Sequence, residues 1–165
     1  MYSKAIANFV TFTTYGTWLH GDQRGSILRV NNTTKLLRPN RNFLEHEKNK
    51  LTHSPVILDS KMRKLVLAAI VEHCRVKDWQ LYAIHVRSNH VHIIVCSDMH
   101  RLIVDLKGWA TRKLRENGYD IPKVWSKGGS RQYIFKDHKL KDKIDYVINQ
   151  QGDMMEYYLR QDNCR

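Results

Sequence analysis

Two apolar, β-favouring stretches separated by three turn-forming residues constrain this chain more than any other feature. Residues 79–86 (Trp-Gln-Leu-Tyr-Ala-Ile-His-Val) and 90–96 (His-Val-His-Ile-Ile-Val-Cys) flank Arg87-Ser88-Asn89. That turn chemistry reverses one strand into the next, so a β-hairpin is the natural outcome. Helical patterns flank it. Asp59 and Ser60 are N-cap candidates, and Met62, Leu65, Val66, Ala69, Ile70 and His73 follow at helical spacing to about Val76. On the other side Asp98 is placed to cap a helix carrying Leu102, Leu106, Trp109, Ala110 and Leu114, which Asn117-Gly118 stops.

The remaining segments complete the pattern. Residues 9–15, rich in Val, Phe, Thr and Tyr, predict a first strand ending at a Gly16 turn. Residues 18–59 are polar and broken by Gly-Asp, Arg-Gly, Asn-Asn, Arg-Pro and Ser-Pro, which predicts a loop-rich excursion with a short helix near 45–50. Val124-Trp125 and residues 132–135 suggest a short strand pair about Gly128-Gly129. A last helix over about 139–151 shows Leu140, Ile144, Val147 and Ile148 on its apolar side. The order β, α, β, β, α, β, α predicts an α+β fold, with helices packed on an antiparallel sheet. At 165 residues, one domain spanning 1–165 is expected, with 18–59 as an insertion.

Composition narrows the partners. Lys and Arg outnumber Asp and Glu by 28 to 16, a formal net charge of +12, which favours a polyanion. Nucleic acid is the leading choice and an anionic membrane surface the rival. Cys74, Cys96 and Cys164 are widely spaced without a C-x-x-C pair, which argues against disulfides and zinc-thiolate sites; Cys74 and Cys96 read as buried small hydrophobes. The longest apolar run, 65–71, is far short of the roughly 20 residues of a membrane span. The first residues lack the apolar core of a signal peptide. A reducing, cytoplasmic and nucleoid-associated setting is expected.

His90 and His92 lie two apart on a strand, so they project from one face about 6.5 to 7 Å apart along its axis. Two neutral imidazoles so placed can chelate one divalent ion, and oxygen ligands completing the shell would suit Mn²⁺ or, less comfortably, Mg²⁺. The same pair also fits a polar face or a satisfied pair near a sheet edge. Tyr146 and Gln150 are four apart on the last helix and share a face. A tyrosine can be a covalent nucleophile and an amide oxygen a metal ligand. Equally, Tyr146 can cap the core while Gln150 faces water.

Several segments in order resemble a known family: Thr-Phe-Thr-Thr-Tyr-Gly-Thr-Trp at 11–18, Gly-Asp at 21–22 with Arg-Gly at 24–25, Asn-His-Val-His at 89–92, Leu-Lys-Gly at 106–108, Trp125 with Gly-Gly-Ser at 128–130, and Tyr-Val-Ile-Asn-Gln at 146–150. Together they resemble the single-tyrosine HUH transposases of the insertion-sequence 200/605 type, including the REP-associated tyrosine transposases. The resemblance implies a ferredoxin-like antiparallel sheet, with the HUH motif on a central strand and the catalytic tyrosine on a C-terminal helix. It also implies that His90, His92 and Gln150 hold Mg²⁺ or Mn²⁺ and that Tyr146 is the nucleophile. The REP-associated branch commonly has Tyr-x-x-x-Asn-Pro here, whereas this chain has Gln150 and no proline.

The activity implied by the resemblance is that of a DNA transposase that nicks and rejoins single-stranded, hairpin-forming DNA through a 5′-phosphotyrosine intermediate. A homodimer with composite sites is implied too, because the tyrosine helix is often supplied by a second subunit. Single strands are held by basic grooves and aromatic stacking. Arg87, Lys107, Arg112, Arg115, Lys127 and Arg131 are the phosphate-contact candidates, with Trp18, Trp125 or Tyr133 as stacking platforms. The ordinary alternative for each is a solvated cation or a core aromatic. Two other functions stay open: a domesticated DNA-binding regulator of the same fold, and a metal-dependent hydrolase that uses bound water and leaves Tyr146 dispensable. A zinc nucleobase deaminase is disfavoured because its His-x-Glu and Pro-Cys-x-x-Cys elements are absent.

Overall fold

The computed structural model describes residues 4–30 and 33–161; Cys164 lies outside them. Along the chain run β1 (Ala7–Thr13), β2 (Ser26–Val30), β3 (Thr33–Leu37), α1 (Arg41–Asn49), α2 (Ser60–Val76), β4 (Gln80–Val86), β5 (His90–Cys96), α3 (Leu102–Glu116), β6 (Ser130–Ile134), α4 (Asp137–Asn149) and β7 (Glu156–Leu159). Five strands form one antiparallel sheet in the order β6-β1-β5-β4-β7, while β2 and β3 pair as a separate hairpin. The fold is α+β, and β5, the strand that carries His90 and His92, occupies the middle of the sheet.

Alternation sorts the sheet into two faces. Val10 and Phe12 of β1, Ile84 and Val86 of β4, and Val91, Ile93 and Val95 of β5 pack against Met62, Val66 and Ile70 of α2 and Leu102, Leu106, Ala110 and Leu114 of α3. The intervening residues turn to the other face, where Ala7, Phe9, Ala83 and Ile94 meet Val147 and Ile148 of α4. Strand period and helix packing therefore leave α2 and α3 on one side and α4 on the other. His90 and His92 alternate with Val91 and Ile93, so they share the side of α4. Between α2 and α3, the buried ring of His73 stacks on Trp109 and hydrogen-bonds Asp105 through Nε2.

Several boundaries differ from the sequence reading for physical reasons. Asp59 does cap α2, its Oδ1 accepting from Met62 N at 2.8 Å. Asp98 does not cap α3; the helix begins at Leu102, and its cap residue Arg101 makes no side-chain capping bond. The carbonyls of Ser97 and Met99 are instead taken by the Arg131 guanidinium, which holds the segment after β5 in a turn. Val124-Trp125 and residues 132–135 do not pair with each other: Trp125 bridges Thr14, and β6 joins β1. Gly129, at φ +153°, brings the chain to β1 so closely that a Cβ there would lie 2.9 Å from the Thr11 carbonyl. The 18–59 excursion holds the β2–β3 hairpin and a longer α1, which starts four residues before the expected position because Asn40 Oδ1 accepts from Phe43 N at 3.0 Å. The hairpin has little apolar alternation because much of it faces water.

Candidate functional site

The site begins with register. Thr11 and Thr13 of β1 lie opposite His92 and His90 of β5, and His85 of β4 lies opposite His92 on the other side. The imidazoles of His90 and His92 sit 4.6 Å apart between ring centroids, within the axial spacing expected of a strand. Each Nδ1 is held from behind. His90 Nδ1 donates to Asn89 Oδ1 at 2.7 Å, because an amide oxygen can only accept, and its Nε2 therefore carries a lone pair. His92 Nδ1 meets Thr11 Oγ1 at 2.8 Å, and a hydroxyl that donates or accepts can hold either tautomer of that ring. Phe9 stacks on His92 from the adjacent strand, 5.5 Å between centroids.

Electrostatics keep both rings neutral. Burial, followed by the Arg87 charge, lowers the His90 pKa to about 4, and burial followed by the neighbouring His90 lowers that of His92 to about 3. Neutral imidazole is the form that ligates metal. Among the described residues no group of three His, Cys, Asp or Glu side chains could hold a metal ion. A divalent ion at the histidine pair would need a neutral oxygen as its next donor. Gln151 brings one close: its Oε1 accepts from His92 Nε2–H at 3.0 Å, a bond that a bound ion would replace, and its Nε2 donates to the Tyr146 carbonyl at 3.1 Å. Two imidazoles and an amide oxygen fit a hard or borderline divalent ion such as Mg²⁺ or Mn²⁺.

Gln150 is not that donor in this arrangement. It is the C-cap of α4: its backbone N–H still donates to the Tyr146 carbonyl at 3.3 Å, but its exposed side-chain amide donates to Asp145 at 2.5 Å. The sequence pattern runs this helix on to 151, whereas α4 ends at Asn149, and with that end Gln151 rather than Gln150 lies beside His92. Tyr146 does reach the histidines. Its ring lies 5.8 Å from His92 and edge-on to Phe9 at 6.0 Å, with 37% of its surface exposed. Lys143, one turn earlier, places Nζ 4.6 Å from the Phe9 centroid and 5.4 Å from that of Tyr146. An open cleft of about 660 Å³ beside Tyr146 is lined by Lys139, Lys141 and Lys143 together with Asp142, Asp145 and Gln150. All of these groups come from one chain.

The expected nucleic-acid contacts divide into three groups. Arg87 is half-buried beside the histidines and donates to the Asp153 carbonyl at 2.7 Å. Lys107, Arg131 and Trp125 have partners within the fold. Lys107 Nζ donates to the Ser126 and Gly128 carbonyls, and burial lowers its pKa to about 8. Arg131 is spent on Asn8, Ser97 and Met99, and Trp125 is 7% exposed, edge-on to Phe12 with Nε1 donating to Thr111. Arg112 and Arg115 are on α3, with the sheet between them and the histidines; Lys127 is exposed on the loop before β6. Of the aromatic platforms, Trp18 is half exposed under Arg24 and Tyr133 lies under Arg131. Phe9, Thr11, Lys143 and Gln151 were not singled out by sequence. Only strand pairing reveals Phe9 and Thr11, and only the true end of α4 reveals Gln151.

Comparison with known proteins shows the family and the fold. Residues 52–147, more than half of the chain, match the family model described as "Transposase IS200 like", a span that includes His90, His92 and Tyr146. No curated protein sequence matches. Among solved structures, that of a REP-associated tyrosine transposase bound to a REP hairpin superposes with a TM-score of 0.52 at 13% identity, covering 91% of this chain and 69% of the other. At that identity the likeness is one of fold.

Proposed function

This chain belongs to the IS200-like transposase family, and from that membership we propose that it nicks and rejoins single-stranded, hairpin-forming DNA, with Tyr146 as nucleophile and residues 1–165 acting as one domain. The observation that carries this reading is the 5.8 Å approach of the Tyr146 ring to His92, on the face where His90 and His92 are buried and neutral.

In this mechanism His90, His92 and the Gln151 amide oxygen would hold a divalent ion. The chemistry such an ion would supply there is Lewis-acid polarisation of the phosphate. Lys139, Lys141 and Lys143 attract the DNA backbone into the cleft beside Tyr146. The Tyr146 oxygen then attacks phosphorus in line, forming a Tyr–O–P bond as the P–O3′ bond breaks. The phenol gives up its proton, and the departing oxygen takes one up as a 3′-OH. Lys143, whose cation already lies near the phenol ring, offsets the negative charge that grows during attack. The 5′-phosphotyrosine keeps the energy of the phosphodiester, so a 3′-OH can reverse the step without ATP. The family resemblance implies a homodimer with composite sites; because Tyr146 and His92 meet within one chain, a dimer of this protein would join two sites rather than complete them.

A covalent-capture assay tests the proposal. Labelled single-stranded DNA carrying a stem–loop is incubated with the protein and Mn²⁺ or Mg²⁺, then run on a denaturing gel. The expected result is a shifted band that disappears with EDTA and in Tyr146→Phe. Binding without an adduct, across several stem–loops and both metals, would favour a DNA-binding regulator of the same fold.

A further inference from the structure

His85 is fully buried near the C-terminal end of β4 and has no part in the mechanism just described, yet both of its ring nitrogens are committed. Nδ1 lies 2.9 Å from the carbonyl oxygen of Val147, and Nε2 accepts from the backbone N–H of Met155 at 3.1 Å. A carbonyl cannot donate and a backbone N–H cannot accept, so the ring is locked as the neutral Nδ1–H tautomer. Burial, the largest influence on this ring, lowers its pKa and favours that same neutral form.

The two backbone groups are informative because of what lies between and beside them. Val147 follows Tyr146 directly, and the span from Val147 to Met155 contains Gln151. The Val147 carbonyl belongs to the last turn of α4, where carbonyls run out of helical partners. Val147 and Ile148 are its only fully buried residues, Leu140 and Ile144 pack half-buried on the same cluster, and its first turn has no side-chain cap. We infer that His85 is a positioning residue, a buried clip that ties the end of α4 and the turn into β7 to the sheet and thereby sets Tyr146 and Gln151 against His92. An apolar residue of similar size would fill the space but leave a buried carbonyl and a buried N–H unpaired. The helix would then lose its register against β5 while the DNA-attracting lysines on its outer face kept their charge.

The inference rests on the proposed role of Tyr146, so its test includes readouts that need no cleavage. In the full-length protein His85→Ala should slow adduct formation with stem–loop DNA and Mn²⁺ by about a hundredfold, the scale of a roughly 1 Å misplacement. DNA affinity should stay within about threefold, since phosphate contacts supply most of it. Amide exchange should accelerate over residues 146–155. Added imidazole, which brings both a donor and an acceptor into the vacated space, should restore rate and protection; 1-methylimidazole, which lacks the N–H, should not. Wild-type adduct rate and exchange in His85→Ala, or equal rescue by both compounds, would overturn the clip. If wild-type protein forms no adduct, the nucleophile reading fails while the exchange and rescue measurements still decide the clip. If His85→Ala does not fold, ¹⁵N shifts of the wild-type ring decide it: the Nδ1–H tautomer supports the clip and the Nε2–H tautomer rules it out.

Discussion

His90 and His92 show how a strand interior changes the chemistry of a side chain. Both are ordinary imidazoles in an unfolded chain, titrating near 6.5, but burial lowers them to about 4 and about 3 in the folded protein. Below pH 6.5 the unfolded state therefore binds protons that the folded state refuses, so their contribution to stability is intact above that pH and is lost as pH falls toward 4. Metal-free protein should show a falling urea midpoint from pH 7 to pH 5, and a double His90→Asn, His92→Asn variant a shallower fall. An equal pH dependence in the variant would show that these rings are solvated. Single residues also mark where sequence reading gives out. Lys107, Arg131 and Trp125 have the composition of a DNA surface, but Lys107 fastens a loop, Arg131 fastens a turn, and Trp125 fills the core. Residue type announces charge and stacking capacity; only burial tells whether they are already spent.

At the level of elements, the antiparallel core was legible because its signals are local. The turn residues between β4 and β5 and the alternation along β5 predict the hairpin with boundaries within a residue of those observed, and Asp59 marks the start of α2. What escaped depends on partners distant in sequence: β6 chooses β1, and β7, absent from the sequence reading, pairs with β4. The end of α4 matters most. Its helix stops at Asn149, and that two-residue shortening exchanges Gln150 for Gln151 at the histidines. Gln151→Ala should weaken Mn²⁺ binding about tenfold, the lower end of what loss of a supporting metal-site contact costs, with Gln150→Ala close to wild type in isothermal titration. The reverse order would place the helix end where the sequence pattern put it.

At the scale of the molecule, the sheet separates two basic surfaces. Lys139, Lys141 and Lys143 flank Tyr146 on the α4 side, while Arg112 and Arg115 stand on α3 behind the sheet. Because α4 packs on the β4 and β5 of its own chain, one chain holds the tyrosine and the histidines together. Mixing Tyr146→Phe with a His92→Ala variant should therefore leave stem–loop DNA uncut. Recovered cleavage would mean that helices are exchanged between subunits. The central claim is that Tyr146 takes the phosphate, and it can be read directly from the peptide that carries the DNA. Trypsin cutting after Lys143 and Arg160 yields one peptide holding Tyr146 together with the exposed Tyr157 and Tyr158. Fragmentation mass spectrometry of the captured adduct, trimmed to its last nucleotide, should place the added mass on Tyr146; the same mass on Tyr157 or Tyr158 would contradict the account.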